Sequence, residues 1–360
     1  MNVVRVPVIL LTTSLLALGA CGSPDVPEST PIPLSTVRLE QQQSGTDVLL
    51  QAVSAVDEHV VWVSGHGGTW ARTLDGGATW TAQVMEGADT LQFRDVHALD
   101  ADRAWLLSAG SGELSRIYRT QDGGETWELQ FLNPEPDGFY DCLEFRDAKH
   151  GLVYGDAVDG ELRILRTRDG GETWEYTRTA NVPAALPGEG GFAASGTCLA
   201  LGPGGRAWIG TGAADTARVL ATRDDGRTWT AVPAPLPGGE AAGIFTIAFR
   251  DSLNGVILGG DLARPDEHTD NVGVTSDGGA SWTVAGRPVL AGAVYGAAYV
   301  PGAPTPTLVA VGPHGADWSP DEGTSWSRAD TVAYWGLDIA SPAAGWLVGP
   351  EGRIVRLSLQ

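Results

Sequence analysis

The sequence predicts an all-β fold, a seven-bladed β-propeller closed by an N-terminal strand, on three observations. An eight-residue box, T-x-D-G-G-x-T-W or a near copy of it, occurs six times, from Thr73, Thr120, Thr167, Thr222, Thr275 and Ser319. Each box follows the same succession of short, alternating apolar segments. The composition, with 49 Gly and 13 Trp among 360 residues, supplies turn formers and strand aromatics and no long run of apolar residues at helical spacing.

The N-terminus comes first in the chain. Arg5 is followed by an apolar run, Val6 to Ala20, and Leu18-Gly19-Ala20-Cys21 resembles a bacterial lipobox. Residues 1–20 therefore read as a lipoprotein signal peptide, and Cys21 as the lipidated N-terminus left by cleavage. Residues 21–35, with Pro and Ser in GSPDVPESTPIPL, read as a flexible tether, and residues 36–360 as the propeller. The expected location is the bacterial envelope, outer membrane if Gram-negative, with membrane contact through the lipid anchor only.

Within each repeat the pattern reads strand A, strand B ending in Gly, strand C, box turn, strand D. Strand B is seen in VVWVSG, RAWLLSAG, HGLVYGD, RAWIGTG, NGVILGGD and TLVAVG, and strand C in LSRIYRT and ELRILRT. A seventh unit from Tyr334 has A, B and C strands but stops before any box. Its missing D strand is expected from Thr36 to Gln43, paired with Ile354 to Leu357, which hides two sheet edges.

The box has a mechanical reason. Asp accepts bonds from nearby backbone N–H groups, Gly supplies positive φ, and Trp packs inward. Asp75, Asp122, Asp169, Asp224, Asp277 and Asp321 are read as structural on that ground. With strand A innermost, the boxes share a face with the A–B turns, opposite the D–A and B–C loops.

The box resembles the Asp-box, or BNR repeat, of sialidases. The whole repeat, over nearly all of residues 36 to 360, resembles the Ycf48/Hcf136 family of photosystem II assembly and stability factors. That resemblance implies a seven-bladed, non-catalytic factor that binds a protein or peptide partner through a propeller face, here in the cell envelope, with no cofactor. The arginine patch of that family is carried over to no residue of this chain.

The formal charge of −21, with 22 Arg and one Lys scattered among 44 acids, excludes a nucleic-acid surface. A sialidase would need an arginine triad and a tyrosine nucleophile, and the sequence assembles neither. A generic glycoside hydrolase, the alternative reading, needs two carboxylates, and Asp141, Glu144, Asp156 and Asp261 offer candidate pairs at the channel mouth. An oxidoreductase is less favoured, because no G-x-G-x-x-G joins a strand to a helix. His66, His268 and His314 occupy B–C loops, without the spacing of a metal site.

Each new strand A is preceded or opened by an aromatic: Phe93, Tyr140, Phe192, Phe245, Tyr295 and Trp335. These rings, with Arg94, Asp141, Asp261 and His314, are the candidate binding residues at the channel mouth. The competing reading packs the rings between blades, since one residue of register turns a side chain to the other face. Finally, Cys142 in DCLEF and Cys198 in TCLAL fall at matching points of neighbouring inner strands. They are either a disulfide or a pair of buried thiols.

Overall fold

Six box turns set the geometry of the chain, and each is closed by the same four hydrogen bonds. In the first, the Thr73 hydroxyl donates to Asp75 Oδ1 at 2.7 Å and accepts from Gly77 N at 2.9 Å. The Thr79 amide and hydroxyl then donate to the two Asp75 oxygens at 2.9 and 2.7 Å. Gly76 and Gly77 hold φ of 71° and 87°, left-handed values that cost glycine nothing. Two near copies place an acid at the first of these positions, Asp225 at φ 60° and Glu322 at φ 57°. Each acid meets an arginine at the end of the inner strand one blade earlier, Asp225 with Arg146 and Glu322 with Arg250.

The structure, a computed structural model, describes residue 1 and residues 33–360. The expected signal peptide, the lipidation at Cys21 and most of the tether lie outside the described residues. The described chain forms seven four-stranded antiparallel sheets. In six of them the strands follow in sequence order. In the seventh, Val37–Gln42 lies outside Ile354–Leu359, with Val37 opposite Leu359 and Gln42 opposite Ile354, so first and last strands share a blade. The innermost strands are Leu50–Ala55, Phe93–Ala98, Tyr140–Phe145, Leu199–Leu201, Ala242–Phe249, Gly296–Tyr299 and Gly336–Ser341. Among the described residues no helix is long and apolar enough to cross a membrane.

The core lies between blades. Strand B is buried throughout in five of the seven sheets, along its first five residues in the third and along its first six in the fifth. Its tryptophans Trp62, Trp105, Trp208 and Trp346 are all within 2% of full burial. Three of them also bond the next blades, Trp62 Nε1 donating to Asp100 O, Trp105 to Gly170 O and Trp208 to Gly278 O, at 2.9–3.1 Å. Each such ring contributes roughly 1.5–3 kcal/mol or more by burial and joins sheets that share no ladder. Cys142 and Cys198 are bridged across neighbouring inner strands, with Cα atoms 5.9 Å apart.

Candidate binding site at the channel mouth

The inner strands carry a β-bulge at one register position, and the bulge decides which side chains reach the axis. Pairing shifts between Leu50 and Ala52, Phe93 and Asp95, Tyr140 and Cys142, and Ile244 and Thr246. The residue inside each bulge, Gln51, Arg94, Asp141 or Phe245, is left out of the ladder and turns toward the channel. In blades 6 and 7 the same place, one residue before the strand, is held by Tyr295 and Trp335. The residue preceding the bulge turns the other way. Leu50, Phe93, Tyr140, Ile244, Val294 and Tyr334 are all fully buried between blades.

This register corrects two expectations. Phe93 packs edge-on against Tyr118, and Tyr140 against Phe131, with the Tyr140 hydroxyl bonded to that of Tyr176 at 3.2 Å. Neither ring faces the mouth, because in blades 2 and 3 the aromatic stands one residue before the bulge. Asp261 and His314 do not line the recess either. Asp261 binds Arg264, and His314 lies 3.7 Å from Asp266.

The remaining candidates converge. Phe192, Phe245, Tyr295 and Trp335 form a continuous arc, with centroid separations of 4.0, 6.0 and 5.0 Å. They wall a recess of about 320 Å³ on the face of the D–A and B–C loops. Its other side carries Gln51, His66 and Arg94, and Ala193 and Ala194 also line it. His66 Nε2 and Gln51 Oε1 are 2.7 Å apart, and burial followed by the Arg94 charge lowers the His66 pKa, so the neutral ring donates to the amide oxygen.

The sequence did not disclose what closes the channel. The long connection between blades 3 and 4 crosses the axis, so that Phe192 to Ala194 line the recess while Ser195 to Thr197 line a second cavity of about 930 Å³ on the box side. This septum is tied to distant blades: Ser195 Oγ donates to Tyr295 O at 2.7 Å, Gln51 Nε2 to Ala194 O at 3.4 Å, and Gly191 N to Asp156 Oδ1 at 2.8 Å. Buried Glu189 clamps its base through Arg218 and the Thr211 hydroxyl. Gly196, at φ 77°, passes so close to the Asp95 carboxylate that no side chain fits there. Its abundance of glycine was the one available signal.

Asp141 lies beneath the septum, 1% exposed, and shares a hydrogen bond with Asp156. Burial first, and the Asp156 charge second, push the Asp141 carboxyl well above its usual range, so it holds the proton. Two carboxyls in direct contact leave no room for a glycosidic bond, which needs a separation of about 5 Å or more. Glu144 stands instead on the box side, 3.3 Å from His97 Nδ1.

Fold and site together define a class: a seven-bladed propeller whose channel, divided by a septum, opens on the loop face as a ring-walled recess. Among the described residues no three His, Cys, Asp or Glu side chains converge to hold a metal ion. No protein-family model matches the sequence, and no curated protein resembles it in sequence. In shape it is similar to YCF48 bound to D1 peptide, with a TM-score of 0.63 and 19% identity over 91% of this chain and 100% of that one. YCF48 from Cyanidioschyzon merolae is similar too, with a TM-score of 0.62 and 16% identity over 89% and 98%. A GH74 xyloglucanase from Xanthomonas campestris gives a TM-score of 0.59 and 16% identity, covering 88% of this chain but 53% of its own. At these identities the likeness is one of fold.

Proposed function

We propose that the protein is a non-catalytic binding or assembly scaffold of the cell envelope, related to the Ycf48/Hcf136 factors, which captures a protein or peptide segment at the channel mouth. The observation that carries the reading is the recess itself, with four rings from blades 5–7 and the septum on one side and the lone Arg94 on the other. Such a surface offers large contact area at small entropic cost and a few placed polar groups. That a solved structure of similar shape holds a peptide supports it further. The box turns are Asp-boxes in this reading and serve the fold alone. The lipobox-like run that ends at Cys21 supports a lipid anchor for the propeller, which incorporation of a palmitate analogue into the wild type and not into Cys21→Ala checks.

The functional test is selection from a random peptide library on the folded propeller, followed by titration of the selected peptides. Trp335→Ala combined with Tyr295→Ala is expected to weaken them at least tenfold while thermal unfolding stays cooperative. Peptides that bind the double variant as well as the wild type would place the site elsewhere.

A further inference from the structure

Three other buried or half-buried arginines of this acidic chain are neutralised by carboxylates, while Arg72 and Arg356 lie over the Trp62 and Trp346 rings. Arg119 lies 2.8 and 2.7 Å from Glu128 and Glu172, Arg163 lies 2.6 Å from Glu135, and Arg218 meets Glu189. Arg94 is different. It is the bulged residue of blade 2, half-buried in the wall of the recess, and its Nε and Nη2 both donate to one neutral acceptor, Gln92 Oε1, at 3.0 and 2.6 Å. No carboxylate of the described residues forms an ion pair with it, and burial pulls its pKa down. The carboxyl that influences it, Asp141, is itself buried, and burial together with the neighbouring Asp156 raises its pKa well above the usual range. A guanidinium partly withdrawn from water without a counter-charge carries a cost that an anionic ligand would offset. Nη1 of Arg94 and the Tyr295 hydroxyl are both left without a described partner, while Gln92 and Gln51 already spend their side-chain oxygens on Arg94 and His66. The open hydrogen-bonding capacity of the recess is therefore weighted toward donors, beside an apolar wall.

We infer that the recess receives a carboxylate carried next to an aromatic or bulky apolar group, with the Arg94 guanidinium as its anchor and Tyr295 and Trp335 as the wall its apolar part lies against. This rests on the peptide-binding reading and specifies what the captured segment must display. A carboxylate on the free edge of the guanidinium forms charge-assisted bonds that an amide cannot match. The carboxylate is either a chain terminus next to an apolar residue or an acidic side chain beside one.

Four probes separate these cases by calorimetric titration: N-acetyl-phenylalanine, its carboxamide, a hexapeptide ending in Phe with a free carboxylate, and a C-terminally amidated hexapeptide with an internal Glu-Phe pair. For the wild type at least one carboxylate probe is expected to bind about 10- to 100-fold tighter than the carboxamide, the range for one charged hydrogen-bonded contact. Arg94→Gln should collapse that ratio to about one, and Arg94→Lys should restore part of it. Trp335→Ala should weaken acid and amide alike and leave the ratio standing. Preference for the terminal or the internal acid identifies the source. Equal binding of acid and amide, or a ratio that survives Arg94→Gln, overturns the anchor while leaving peptide capture intact. Failure of all four probes on a protein that still binds library-selected peptides overturns the anchor alone, and failure of both sets overturns both readings.

Discussion

Blades 1–3 and blades 5–7 share one backbone and differ at the bulge. The first three place Gln51, Arg94 and Asp141 toward the axis, and the last three place Phe245, Tyr295 and Trp335 there. A related division, shifted by one blade, runs deeper, at the position that in four blades faces a strand B tryptophan. Blade 7 and blades 1–3 carry Asp338, Ser54, His97 and Glu144, whereas Ala200, Ala248 and Ala298 occupy blades 4–6. The polar arc works as stitching: Ser54 Oγ accepts from Ala98 N at 3.0 Å, Asp95 from Leu143 N at 2.6 Å, and across the closing seam Asp338 from Ala55 N at 2.8 Å. The aromatic arc makes a wall instead. A repeat fold can thus assign structural bonding to one half of its inner ring and free the other half for a ligand, since each blade contacts only its neighbours.

The largest effect expected concerns the ring on which both arcs sit. Deleting residues 22–44 removes the strand paired with Ile354–Leu359 and should abolish cooperative thermal unfolding, whereas deleting 22–33 should leave it unchanged. Equal melting of the two truncations would detach the N-terminal strand from ring stability. Next comes the seam where the polar arc meets the septum. Replacing both Cys142 and Cys198 by Ser opens a bridge of sequence separation 56 and should cost about 4 kcal/mol in calorimetry, with a linked peptide pair in non-reducing mass spectrometry of the wild type.

A pH series separates outer from inner acids. Thr79, by its hydroxyl and its amide, and the Thr73 hydroxyl hold Asp75 down to about 2, and Asp122 and Asp277 are held alike. Their contribution is present above the ordinary carboxylate pKa and is lost as pH falls through about 4 toward 2. Asp338 runs oppositely: burial raises it to about 6, so its contribution is complete below its ordinary 3.8 and is lost as pH rises through about 6. The melting temperature should therefore peak between these limits. Asp338→Asn should make the upper limb shallower and leave the lower limb unchanged, since buried Asp95 and Asp141, also raised by burial, share the upper limb; a fully unchanged upper limb would remove Asp338 from it.

Smaller still, Tyr140→Phe removes one hydroxyl contact from the polar half and should cost about 1 kcal/mol with ligand binding unchanged, because that ring is not at the mouth. The least effect is expected at the second near-copy box position. Asp225→Gly relieves a left-handed residue and loses an ion pair with Arg146, so denaturant titration should move by less than about 1 kcal/mol in either direction.

By itself the sequence determined the repeat, the number of blades and the face on which the boxes lie, because these follow from local rules: Asp-Gly-Gly turns, alternating strands and a fixed spacing. It also brought Cys142 and Cys198 to one register, and it left the binding rings in two readings. Tertiary structure decided between those readings. Phe93 and Phe245 look alike in sequence, yet a one-residue bulge sends the first between blades and the second to the channel. It also decided the septum, whose course across the axis depends on partners as distant as Tyr295 and Gln51. Turn chemistry is set by the nearest few residues and so can be read from a string. Which side of an inner strand meets the axis, and which loop fills it, is settled only when seven sheets close around a common centre.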